Sequence, residues 1–182
     1  MQPTAAPRRT RSVQASKEPK IAAGFVPHTF ERSYEVDAAR DDVWAWLNDP
    51  DTFIKGQPWP YFVEFVGGGF EPGVQNTHTG PLLHCCGEIG EVRQPDYRDL
   101  RYHYGAYVLA MRWIRPTRLQ FWLDAPTANR TIVRVRLDSQ CRSWIRRVWT
   151  LGNRFFWRLF GWSIRRGLAQ RARKAAHAPG SR

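Results

Sequence analysis

From Thr29 to Val36 the chain alternates. Phe30, Arg32, Tyr34 and Val36 take one side, and Glu31, Ser33 and Glu35 the other. A period of two predicts a strand with one wet face. Asp37 is placed to cap a short helix, Ala38 to Leu47, that carries Val43, Trp46 and Leu47 on one side. Asn48-Asp49-Pro50-Asp51 ends that helix, and a second helical turn over Thr52 to Lys55 is closed by Gly56 and Pro58.

Apolar segments punctuated by turns follow: Tyr61 to Val66, Val74 to Thr79, Leu82 to Val92, Leu100 to Ile114, Arg118 to Leu123 and Thr131 to Cys141. Gly67-Gly68-Gly69 separates the first two as a permissive turn. In the last segment Val133, Val135 and Leu137 alternate with Arg134, Arg136 and Asp138, again the pattern of a half-buried strand. Together they predict an antiparallel meander.

The period then changes. From Ile145 onward, Val148, Trp149, Gly152, Phe155, Phe156, Leu159, Phe160 and Ser163 recur at helical spacing, and Arg147, Arg154, Arg158 and Arg165 fall opposite. This predicts one long amphipathic helix to about Ala176, with Gly152 and Gly161 as its weak points. Strands followed by a segregated helix indicate an α+β domain, the helix covering one face of a curved sheet.

Charge divides the chain more sharply than hydropathy does. Residues 1–29 hold five basic side chains and one acid, residues 30–141 hold 12 and 15, and residues 142–182 hold 11 and none. A near-neutral body is therefore flanked by two basic ends, which speak of surfaces and partners more than of fold. Residues 1–28 read as a disordered basic tail, 29–176 as the folded domain and 177–182 as a disordered end. No apolar stretch follows Arg8-Arg9, so no secretory or twin-arginine leader is expected. The most apolar window, Val148 to Ile164, is broken by Arg154 and Arg158 and is not expected to span a bilayer. Cys85, Cys86 and Cys141 show no metal-binding spacing, so neither metal nor cofactor is implied, and a reducing, cytoplasmic setting is expected.

The stretch Tyr34 to Phe53, YEVDAARDDVWAWLNDPDTF, resembles the opening of the START-like (SRPBCC) superfamily, which includes polyketide cyclases and dehydrases. Its Asp37-Ala38 step, its helix with Val43-Trp44 and its Asp49-Pro50 start of a short helix carry the likeness, and the closing helix agrees with it. The resemblance implies a helix-grip fold. About seven antiparallel strands would wrap the terminal helix, with two short helices after the first strand and a cavity for a lipid, sterol, hormone or polyketide. It implies no shared catalytic motif.

Fourteen per cent aromatic residues, nine of them Trp, exceed what a core of this size requires. Where the resemblance places the mouth stand Trp59 and Tyr61. Tyr102, Tyr104 and Trp113 fall on strands that can line the cavity. On the expected inner stripe of the helix, Gly152, Phe156 and Ser163 mix a ring with small residues that leave volume. His84 is the histidine taken as lining the pocket. His78, His84 and His103 are each able to serve as acid or base, but no paired acid or Ser/His/Asp order accompanies them. Arg32 is expected at a solvated strand end.

These residues imply a hydrophobic small-molecule ligand, carried or acted upon, with a cyclase or dehydratase as the enzymatic alternative. Trp and Leu interleaved with Arg on the outer side of the helix fit peripheral contact with an anionic membrane as well as they fit a solvated face. Nucleic acid ranks below both, because no nucleic-acid motif accompanies the charge.

Overall fold

The computed structural model describes residues 20–55, 62–80, 83–103 and 112–177. Seven strands form one antiparallel sheet: β1 (Val26–Val36), β2 (Phe62–Phe65), β3 (Gln75–Gly80), β4 (Leu83–Arg93), β5 (Tyr97–His103), β6 (Ile114–Thr127) and β7 (Arg130–Cys141). Their order is β1-β7-β6-β5-β4-β3-β2. The helices α1 (Arg40–Leu47) and α2 (Pro50–Ile54) carry the chain from one edge strand to the other, and α3 (Arg146–His177) closes the fold. This is the expected helix grip.

β1 begins at Val26, three residues before the expected start, because Phe25 and His28 are already buried and Val26 pairs with Cys141. The cap of α1 also differs from expectation. Ala39 is its N-cap, without a side-chain bond, and Asp41 and Asp42 supply negative charge to the first turn instead. α2 does begin in the expected manner: Asp49 accepts from the Asp51 amide at 2.9 Å, with Pro50 in the first turn. The single strand expected over Leu100 to Ile114 is two, since β5 ends at His103 and β6 begins at Ile114.

The main core joins the sheet to α1 and α3 through Phe30, Tyr34, Val43, Trp46, Phe121, Val133, Val135, Trp157 and Ile164. Tyr34 locks β1 to the helix by donating its hydroxyl to the Trp157 carbonyl at 2.5 Å. Gly161 allows that approach, since a Cβ there would sit 2.6 Å from the Tyr34 ring.

The helix is turned relative to the expected stripe. Trp149, Asn153, Trp157, Phe160, Ile164 and Leu168 face inward, whereas Val148, Phe155, Phe156 and Leu159 are more than half exposed. Gly152, expected inside, is exposed with nothing within 4 Å of where a Cβ would be. Trp157 is core.

Candidate functional site

Three neighbouring strands bring polar groups onto the concave face of the sheet. On β3 these are Asn76 and His78, on β4 Cys85, and on β5 Arg98 and Tyr102. Register fixes the rows: Asn76 pairs with Gly87, which pairs with Tyr102, and His78 pairs with Cys85. Gly87 is required for that register, because a Cβ there would lie 2.5 Å from the Arg101 carbonyl oxygen. Ile89 and Leu100 form the apolar belt between the Asn76–Tyr102 row and Arg98.

Several of these groups lack partners. Asn76 is fully buried, and among the described residues neither its Nδ2 nor its Oδ1 has a hydrogen-bond partner. His78 Nε2 and Arg98 Nε are buried and equally unpartnered. Buried polar atoms are ordinarily satisfied, so these three side chains on one concave face single it out as the candidate site. Rings roof the arginine. Phe70, Phe121 and Phe53 stand 4.2, 5.0 and 5.2 Å from the centre of its guanidinium.

Burial moves the acid–base properties. The His78 ring is pulled down to about 4, so it is neutral at ordinary pH, and the Cys85 thiol is pushed up to about 12 and stays protonated. The Tyr102 hydroxyl, whose ring meets His78 edge-on at 5.7 Å, is raised by the same burial. Arg98 is lowered to about 9 by burial and still carries its charge at neutral pH.

The His78 shift fixes a pH dependence. Between about pH 4 and 6.5 the unfolded chain holds a proton that folded His78 does not, so stability falls as the pH drops through that window. The loss is on the order of 2–3 kcal/mol. Urea unfolding at about pH 7 and about pH 4.5 is expected to show that loss in the native protein and a smaller one in His78→Gln. An equal loss in both would remove His78 as the cause.

The remaining expected residues are scattered. His84 lies on the outer face, where its Nδ1 is 3.1 Å from the Thr79 hydroxyl, and His103 lies on that face near Glu88. His84 therefore does not face the concave side of the sheet: alternation along β4 turns Cys85 inward and His84 out. Trp113 precedes β6 and packs edge-on against Trp144 at 5.2 Å instead of lining the concave face. Phe156 is half exposed and Ser163 flanks the inner stripe. Tyr102 lies on β5 opposite Gly87, whereas Trp59, Tyr61 and Tyr104 lie outside the described residues. Arg32 shares the inner side of β1 but reaches the helix, donating to the Arg154 carbonyl at 3.2 Å. Sequence reading missed Asn76 and Arg98. Two surface hollows of about 550 and 1010 Å³ lie elsewhere, the first beside Arg40, Asp96 and Trp122, the second where α1 and α3 meet around Asp42, Asp49, Arg165 and Arg171.

Known structures share this shape. Norcoclaurine synthase from Thalictrum flavum superposes with a TM-score of 0.61 at 12% identity, over 83% of this chain and 99% of that one. Ara h 8.0201 gives 0.60 at 12%, over 80% and 99%. A Nitrosospira multiformis protein gives 0.53 at 16%, over 79% and 94%. The chain has the START-like helix-grip fold. No family model and no curated protein sequence matches it. Asn76, His78, Arg98 and Tyr102 lie along the concave face of the sheet, on β3 and β5.

The opposite side of α3 is a second candidate surface. Trp144, just before the helix, then Val148, Leu151, Phe155, Leu159 and Trp162 are 52–68% exposed. At about 100° per residue they form one row, roughly 180° from the buried stripe. Arg147, Arg154, Arg158 and Arg165, all exposed, run beside it, and Arg166 stacks on the Trp162 ring at 4.9 Å. Among the described residues no helix is long and apolar enough to cross a membrane.

Proposed function

We propose that the chain binds and carries a hydrophobic small molecule, lipid or polyketide-like, between the sheet and α3, and that it works at an anionic membrane surface. The observation that carries the binding reading is the set of unpartnered polar side chains, Asn76, His78 and Arg98, set in an aromatic interior. A pocket that is mostly apolar with a few converging polar groups suits a ligand of the same description. Norcoclaurine synthase, of the same fold, has been captured with dopamine and hydroxybenzaldehyde, which supports small aromatic bodies as occupants here too. The exposed Trp-Leu-Phe row of α3 beside its arginines supports the membrane surface.

One observation favours an enzymatic second reading, a cyclase or dehydratase. A neutral His78 with an unpartnered Nε2 stands against Tyr102, and such a pair can exchange a proton with a bound carbonyl compound.

Mass spectrometry of gently purified protein under native conditions is expected to show a bound apolar molecule, and stripped protein is expected to take up a neutral fluorophore such as Nile red. Absence of both would remove the binding reading. Incubation of the extracted molecule with stripped protein separates the two readings: recovery unchanged supports carriage, and conversion abolished by His78→Gln supports catalysis.

A further inference from the structure

Arg98 is 95% buried. Three phenyl rings turn their π-faces to the guanidinium, a contact that stabilises the cation without providing a hydrogen-bond acceptor for its N–H groups. Those donors point outward in the guanidinium plane, and a planar fork of this kind pairs with a carboxylate. The Nε is buried with no hydrogen-bond partner among the described residues. The neighbouring acid in sequence, Asp99, is committed to the other face of the sheet. There its Oδ2 is held by Arg118 at 2.6 Å and Arg101 at 3.3 Å, and its Oδ1 takes the Glu91 amide at 2.5 Å. The segments 56–61, 81–82 and 104–111 contain no Asp or Glu, so none of them brings a carboxylate to this place. The one neighbour that raises Arg98 is the hydroxyl of Tyr102, which burial keeps protonated and therefore neutral at ordinary pH.

A buried cation without an anion is costly, and chains seldom retain one where an apolar side chain would serve. Resting on the binding reading above, we propose that the ligand is a hydrophobic acid whose ionised oxygen group pairs with Arg98, its apolar body lying against Phe53, Phe70 and Phe121. Asn76 supplies a further donor and acceptor on the same concave face, and neutral His78 supplies a nitrogen that does not compete for the anion. The class is thus an aliphatic or aromatic carboxylate, or an equivalent planar oxyanion. Its neutral ester or alcohol would lose the defining contact.

Calorimetric titration at about pH 8 would use decanoate and 2-naphthoate, each against its own methyl ester. The native protein is expected to bind at least one of the two acids about tenfold or more tightly than its ester, the usual size of a charge-assisted pair. In Arg98→Met the acid is expected to fall to the level of the ester, with the ester unchanged, and Arg98→Lys is expected to keep part of the preference. Removing an unpaired buried cation should also leave the melting temperature of the empty protein unchanged or higher, as buried ions replaced by apolar isosteres often do. Ester and acid binding equally would overturn the proposal while leaving hydrophobic binding intact. So would an acid preference that survives in Arg98→Met, or a strongly destabilised Arg98→Met that binds as the native protein does, since the arginine would then be a structural staple. If neither acid nor ester binds, the binding reading fails, and this inference fails with it.

Discussion

Truncation of Trp157 to alanine is expected to cost about 3–5 kcal/mol of folding stability, while truncation of Phe156 beside it costs less than about 1 kcal/mol. The two rings are adjacent in sequence and touch edge-to-face at 5.2 Å, yet Trp157 is 4% exposed and Phe156 is 51% exposed. Trp157 packs on Phe160 at 5.1 Å and on Phe121 at 6.3 Å, and its indole N–H donates to Asn153 at 3.3 Å. Its loss opens a cavity at the centre of the grip and leaves Asn153 Oδ1 without that donor. Domains are stable by only about 5–15 kcal/mol, so Trp157→Ala is expected to lose a large share of the folding stability. Trp157→Phe keeps most of the volume and provides a milder rung of the same series. Urea midpoints at constant m-value measure all three, and a larger loss for Phe156→Ala than for Trp157→Ala would mean that the helix is turned the other way.

That helix shows what the sequence conveyed and what it concealed. Its position, length and role as the gripping element follow from periodicity. Its rotation does not, because it carries two apolar rows on opposite sides. Trp149, Asn153, Trp157, Phe160 and Ile164 make the buried one; Val148, Leu151, Phe155, Leu159 and Trp162 make the exposed one. A single amphipathic face fitted to both points between them, which is why Gly152, Phe156 and Ser163 were expected inside. Hydrophobicity identifies what can be buried, and only the partner surface decides what is.

The strands were legible wherever one face is wet. β1 and β7 alternate cleanly, and their register carries the pattern across the pair. The stretch from Leu100 to Ile114 has too little polarity to punctuate it, so the end of β5 and the start of β6 were lost. His84 failed for a different reason. In a strand one residue of offset reverses every side chain, and without a fixed register Cys85 and His84 are interchangeable. Arg98 was missed because Pro95-Asp96-Tyr97-Arg98-Asp99 reads as a polar turn. A signal was nevertheless present: Arg98 shares parity with Leu100 and Tyr102, so any argument that turns Tyr102 inward turns Arg98 inward with it.

Replacing Trp144, Phe155 and Trp162 together by serine is expected to weaken binding to vesicles of anionic phospholipid by about a hundredfold or more. A large ring fully removed from water gains about 1.5–3 kcal/mol, and a partly inserted one gains less, so three rings are worth about 3–5 kcal/mol together. Each tenfold in affinity corresponds to about 1.4 kcal/mol. The arginines add a term of another kind, about 1 kcal/mol for each one close to an anionic surface, and this term is screened by salt. Replacing Arg147, Arg154 and Arg158 by glutamine should therefore abolish most of the preference for anionic over neutral vesicles, and raising the salt should have the same effect on the native protein. The serine variant should instead weaken binding to both. Since all these side chains lie on the exposed row or beside it, the folding midpoint is expected to stay where it is. Co-sedimentation measures the partitioning, and sedimentation velocity without lipid tests the competing occupant, a second copy of the chain covering the same row. A monomer whose row binds anionic vesicles supports the membrane assignment. A dimer dispersed by the serine substitutions, or a triple variant that still follows the vesicles, would refute it.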